Sequence, residues 1–71
     1  MRNTEFPKIV ELMQQNGEAL QDLVNLLGYT QKSQVSRRLS GKVEWTIGDV
    51  EILCRHYNVD FYELFRRKED I

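Results

Sequence analysis

Between Asp22 and Glu44 the chain carries no carboxylate, and that interval holds Lys32, Arg37, Arg38 and Lys42. Among them stand Thr30, Gln31, Ser33, Gln34 and Ser36, a run of hydrogen-bonding side chains without an acidic member. This set suits one kind of chemistry. Arg and Lys reach the O6 and N7 acceptors of guanine, Gln can do the equivalent for adenine, and Ser bonds to bases or phosphates. A helix N-terminus adds its own preference for anions. Gln31, Lys32, Ser33, Gln34, Ser36, Arg37, Arg38 and Lys42 are therefore the candidate DNA-binding residues. The competing reading is a solvated face with no partner, but such faces usually mix Glu with Lys.

The net charge of -1 argues at first sight against nucleic acid. Its distribution argues the other way. Outside the basic interval six basic residues stand against eleven acidic ones, a balance of -5. A dipolar molecule can aim one basic face at phosphates while its acidic remainder points away.

Other chemistries are poorly supplied. Cys54 is the only cysteine and His56 the only histidine, which excludes an intrachain disulfide and the usual zinc sets. No metal and no cofactor are expected. No Ser-His-Asp, Cys-His or paired-carboxylate constellation has both partners suitably spaced, so the expectation is a protein that is not an enzyme. With 71 residues and 41% apolar composition there is material for one small core without a roofed cleft, and no small-molecule ligand is expected. Apolar runs reach only two or three residues, far short of a membrane span. Met1 to Thr4 lacks the apolar segment of a signal peptide, so a cytoplasmic protein is expected.

The elements that must position these residues are helical, because apolar residues recur at helical spacing throughout. Thr4 is placed to cap a first helix bearing Phe6, Ile9, Val10 and Met13, with Pro7 in its first turn and Asn16-Gly17 as its stop. A second helix carries Leu20, Leu23, Val24 and Leu27 and ends at Gly28. A third runs from about Thr30 to Leu39, its start expected near residues 30–33, burying Val35 and Leu39 and turning Arg37 away from the core. Trp45 precedes Thr46-x-x-Asp49, a capping box with Asp for the usual Glu, and packs down as a hydrophobic staple. The fourth helix then bears Ile47, Val50, Leu53, Cys54 and Tyr57. Asp60-x-x-Glu63 opens a short fifth with Phe61, Leu64 and Phe65, and Arg66 to Ile71 are expected to fray. Cys54 reads as a small core residue and His56, beside Arg55, as exposed. Phe61, Tyr62 and Phe65 supply more aromatic surface than a small core needs, so some could form a dimer patch. The expectation is an all-α, five-helix bundle, one domain over residues 1-71 with its core in about 5-65. Within it, Leu20 to Leu39 has the layout of a helix-turn-helix.

Leu23-Val24-x-x-Leu27-Gly28 followed by Val35-Ser36-Arg37-x-Leu39-Ser40-Gly41-Lys42 resembles the lambda-repressor-like (Cro/CI, Xre) helix-turn-helix family. The similarity continues through Glu44-Trp45-Thr46-Ile47, Tyr57-Asn58-Val59 and Asp60-x-x-Glu63-Leu64-Phe65, covering about residues 6 to 65. It implies a compact lambda-repressor-like DNA-binding domain, of the size and style of small prophage-encoded proteins in a bacterial host cell. By the Val35 register, Lys32, Ser33, Gln34 and Arg37 would face the bases. Ser36 and Arg38 would flank the backbone, and Lys42 would meet a phosphate. The resemblance also implies a homodimer on a palindromic double-stranded operator, with pairing expected mainly on DNA. The chain departs from the family twice. Ala19-Leu20 stands where Thr-Gln is usual, removing a cap and a phosphate clamp that Gln21 could replace. Gly28 and Val35 are separated by six residues rather than five, so the turn or the first helical turn must absorb one more.

The function expected is thus a sequence-specific transcriptional regulator, Cro-like or a short repressor. The alternative is a protein-interaction module of antitoxin or antirepressor type, which the missing Gln and the overall acidity favour and the acid-free segment opposes.

Overall fold

The apolar stripes become five helices in the expected order. The computed structural model describes residues 4–66, and among them there is no strand. The helices are α1 (Pro7–Gln15), α2 (Leu20–Leu27), α3 (Lys32–Leu39), α4 (Ile47–Tyr57) and α5 (Phe61–Leu64). Ile9 and Met13 of α1, Val35 and Leu39 of α3, and Leu53 and Tyr57 of α4 are i,i+4 pairs. Each pair puts one narrow stripe inward. Phe6, Leu23, Val24 and Leu64 complete the buried core. The Cα radius of gyration, 11.0 Å, is about that of a fully packed chain of this length. No helix of the described residues is long and apolar enough to cross a membrane.

Local chemistry sets most boundaries. At the start of α4, Thr46 Oγ1 accepts from the Asp49 N–H and Asp49 Oδ2 accepts from the Thr46 N–H, both at 3.1 Å. This is the capping box expected from the sequence. Asp60 Oδ1 accepts from the Glu63 N–H at 2.8 Å and opens α5. Ala19 has no side chain to cap α2, but Asp22 Oδ2 reaches back to the Ala19 N–H at 2.7 Å, half of such a box. Gly28 closes α2 in the left-handed region at φ 79°, where a Cβ is strained. The chain then turns over residues 28–31 into α3.

Two expectations are corrected, at Thr4 and at Ile47, and the start of α3 is fixed. Thr4 does not cap α1: Phe6 holds the N-cap position and Pro7 is the first helical residue. Thr4 Oγ1 instead accepts from the Phe6 N–H at 3.1 Å and donates to the Leu39 carbonyl at 3.2 Å. The Glu5 N–H donates to that same carbonyl at 2.8 Å. The segment leading into α1 is therefore tied to the end of α3. Helix α3 begins at Lys32, within the expected 30–33, because Gln31 is extended at φ -135°, ψ 146°. The extra residue between Gly28 and Val35 thus lies in the turn. Ile47, expected on the core stripe, is 79% exposed. The inward line of α4 is Asp49, Leu53 and Tyr57, and Ile47 lies two residues, about 200°, from Asp49 on that helix. The expected fraying concerns a segment whose residues 67–71 lie outside the described ones.

Candidate nucleic-acid interface

Val35 is 0% and Leu39 1% exposed, which orients α3 on the core. The side chains of Gln31, Lys32, Ser33, Ser36 and Arg37 are exposed. Beyond the helix, the Lys42 and Val43 N–H groups donate to the Arg37 carbonyl at 2.9 and 3.3 Å. The loop thereby folds back over the C-terminal turn and leaves Lys42 exposed beside it. Lys32, Arg37 and Lys42 form no ion pair among the described residues. Their charge is directed at solvent.

Gln34 is different. Its Oε1 accepts from the Thr30 N–H at 3.0 Å, the Gln31 N–H at 2.9 Å and the Thr30 hydroxyl at 3.3 Å. The N–H of the N-cap residue Gln31, left over at the start of α3, and that of Thr30 just before it are satisfied in this way. Since Gln31 itself makes no side-chain cap bond to the helix, Gln34 carries that duty.

Arg38 turns inward. Its guanidinium lies over the Tyr29 ring, 4.5 Å from the centroid, and Nη1 donates to the Gln34 carbonyl at 2.8 Å. Nε is 3.5 Å from Asp49 Oδ2, within ion-pair reach but without hydrogen-bonding geometry. Asp49 is 4% exposed and also accepts from the Tyr29 hydroxyl at 2.6 Å. Burial, followed by the hydrogen bond to Asp49, pushes the Tyr29 hydroxyl above its ordinary pKa. Tyr29, Arg38 and Asp49 therefore brace the turn before α3, the helix itself and the start of α4 against one another. An exposed phosphate contact, the role expected of Arg38, needs a guanidinium that is not committed to this brace.

Of the eight candidates, six are exposed along α3 and its flanking turns, Gln34 has its acceptor engaged, and Arg38 faces the core. Tyr29 and Asp49 were not among them. Thr46-x-x-Asp49 marked the cap made by Asp49, but nothing in the spacing pointed to its second and third partners.

A second polar cluster lies elsewhere, around Glu18. Its Oε1 accepts from the Tyr57 hydroxyl at 2.7 Å and its Oε2 is 2.6 Å from His56 Nε2. The α1–α2 loop is thus pinned to the end of α4. Burial, then the Asp60 charge, pushes the Cys54 thiol up, which disfavours the thiolate. Trp45 packs edge-on against Phe6 and Phe65, with centroids 6.2 and 5.8 Å away. Phe61 and Tyr62, in edge contact at 5.6 Å, are 50% and 84% exposed. Among the described residues no group of three or more His, Cys, Asp or Glu side chains could hold a metal ion.

Comparison with known proteins finds no matching family model, no matching curated protein and no matching solved structure.

Proposed function

We propose that this chain is a sequence-specific DNA-binding transcriptional regulator, a Cro-like protein or short repressor of lambda-repressor-like type. Helices α2 and α3 would form its helix-turn-helix, with α3 in the operator major groove. The observation that carries this reading is the outer face of α3. Lys32, Ser33, Ser36 and Arg37 are exposed there, no carboxylate interrupts them, and neither of the two cations is neutralised within the described chain. An α-helix fits the major groove, and Arg37 is the residue best placed for bidentate recognition of guanine. Lys42, exposed on the loop that folds back over α3, suits a phosphate, which fixes docking without reading sequence. A palindromic operator would take two copies about one helical turn apart.

Selection of duplexes from a random pool at fixed salt tests this reading. An enriched palindrome is the expected result, with affinity falling steeply as salt rises. Arg37→Ala then weakens binding by about 1–3 kcal/mol and relaxes the preference at one base pair. Unchanged binding in an Arg37→Ala, Lys32→Ala double variant would sink it.

One observation favours a protein-interaction module instead. Ile47, Phe61 and Tyr62 are 79%, 50% and 84% exposed, a set of apolar side chains that a protein surface would cover. That reading predicts no duplex enrichment and a partner lost on Tyr62→Ala but kept on Arg37→Ala.

A further inference from the structure

The geometry points to Gln34 as a specificity-determining residue that acts only as a hydrogen-bond donor, selecting guanine rather than adenine at its base pair. This rests on the proposal that α3 enters the major groove. The orientation of the carboxamide follows from its neighbours. Oε1 faces the backbone N–H groups of Thr30 and Gln31, at 3.0 and 2.9 Å. Backbone N–H groups only donate, so a flipped amide would set N–H against N–H. The two hydrogens on Nε2 have no acceptor among the described residues, and the side chain is half-buried rather than sealed. What Gln34 can offer a ligand is a pair of donors.

The usual Gln–adenine pair needs both ends of the amide: Oε1 accepts from N6 while Nε2 donates to N7. Here the acceptor end is occupied. Releasing it would take the partner from the N-cap N–H of Gln31 and from the Thr30 N–H before it, and no other side chain caps that end. Guanine instead presents N7 and O6 as neighbouring acceptors on its major-groove edge, which the two Nε2 hydrogens match. A phosphate oxygen is the other acceptor within the same chemistry, and it would carry no sequence information.

Gln34→Glu separates the cap from the donor. The carboxylate keeps an acceptor for both N–H groups and is favoured by the helix dipole. It loses both donors and can accept only from an exocyclic amino group, N4 of cytosine or N6 of adenine. With the full chain and its selected duplexes, the expected result is a melting temperature equal to or above that of the parent. Affinity for the guanine site should fall by about tenfold or more, and the preferred base at that position should move to one with an amino group, cytosine or adenine. Replacing that guanine by 7-deazaguanine should weaken the parent protein and leave Gln34→Ala unaffected. Selection of adenine by the parent at this pair overturns the inference. So does a Gln34→Ala loss that is equal on all sequences and lowers the salt dependence, which marks a phosphate contact. Absence of any duplex selected by the parent overturns the operator reading itself, and is told apart from these outcomes because it appears before any variant is made.

Discussion

Asp49→Ala is the perturbation that most directly probes how α3 is held. It removes the acceptor of the Tyr29 hydroxyl at 2.6 Å and of the Thr46 N–H at 3.1 Å, and the counter-charge 3.5 Å from Arg38 Nε. Removing one partner of a buried ion pair costs about 3–5 kcal/mol, since the other charge is left buried and unpaired. The Arg38 side chain keeps 15% of its exposure, so it can draw on some water, and the lower end, about 3 kcal/mol, applies. A domain of this size has roughly 4–10 kcal/mol in total, so the variant is folded but severely weakened. At about 4–8 °C per kcal/mol its melting temperature falls by roughly 12 °C or more. Asp49→Asn keeps the shape and the acceptor and loses only the charge, so its cost is smaller, about 1–2 kcal/mol.

The decisive assay is a double-mutant cycle by urea denaturation. Arg38→Met retains an apolar stem over Tyr29 and removes the charge. Once Arg38 is Met, Asp49→Ala no longer strands a cation, so its cost should drop by about 1–3 kcal/mol. Additivity of the two substitutions within about 0.5 kcal/mol would refute the claim that Arg38 is committed to Asp49.

The same assignment predicts opposite salt behaviour for two cations. Lys42→Ala should lower the slope of log K against log salt by about 0.9, as one phosphate contact requires, while Arg38→Ala should destabilise the fold and leave the slope alone; a slope change in Arg38→Ala sinks this distinction. Gly28→Ala meets no atom within 4 Å, so its cost is the backbone strain at φ +79°, about 1–2 kcal/mol, and an unmoved urea midpoint would contradict it. Burial first, then the hydrogen bond to Glu18, raises the Tyr57 hydroxyl well above its usual 10.0. The unfolded chain ionises first as pH rises, so this contribution is full below pH 10 and is lost above it. Tyr57→Phe should therefore flatten the alkaline loss of stability, in part only because Tyr29 is raised as well; an identical alkaline slope in parent and variant rules the mechanism out.

The helices were legible because their signals are local. Thr46 and Asp49, or Asp60 and Glu63, meet three residues apart, and Gly28 marks a turn by its own conformation. Thr4 misled because it is a good capping residue placed two positions too early for a helix that begins at Pro7. The illegible part consists of polar pairs that close only in the fold. Tyr29 and Asp49 are 20 residues apart, and Glu18 and His56 are 38 apart. The same limit explains why composition could not sort the candidate site. Arg37 and Arg38 are adjacent and chemically identical, yet one faces solvent and the other the core. At about 100° per residue, Arg37 lies about 200° from both Val35 and Leu39, whereas Arg38 lies within about 60° of Val35. Helical geometry thus commits Arg37 to the outer face and puts Arg38 on the edge. On that edge the side chain goes where a partner waits, and Tyr29 and Asp49 supply one on the inner side. For Gln34 the partner is the helix start itself, so an amide that reads as a base contact in the sequence has its acceptor engaged and only its donors free.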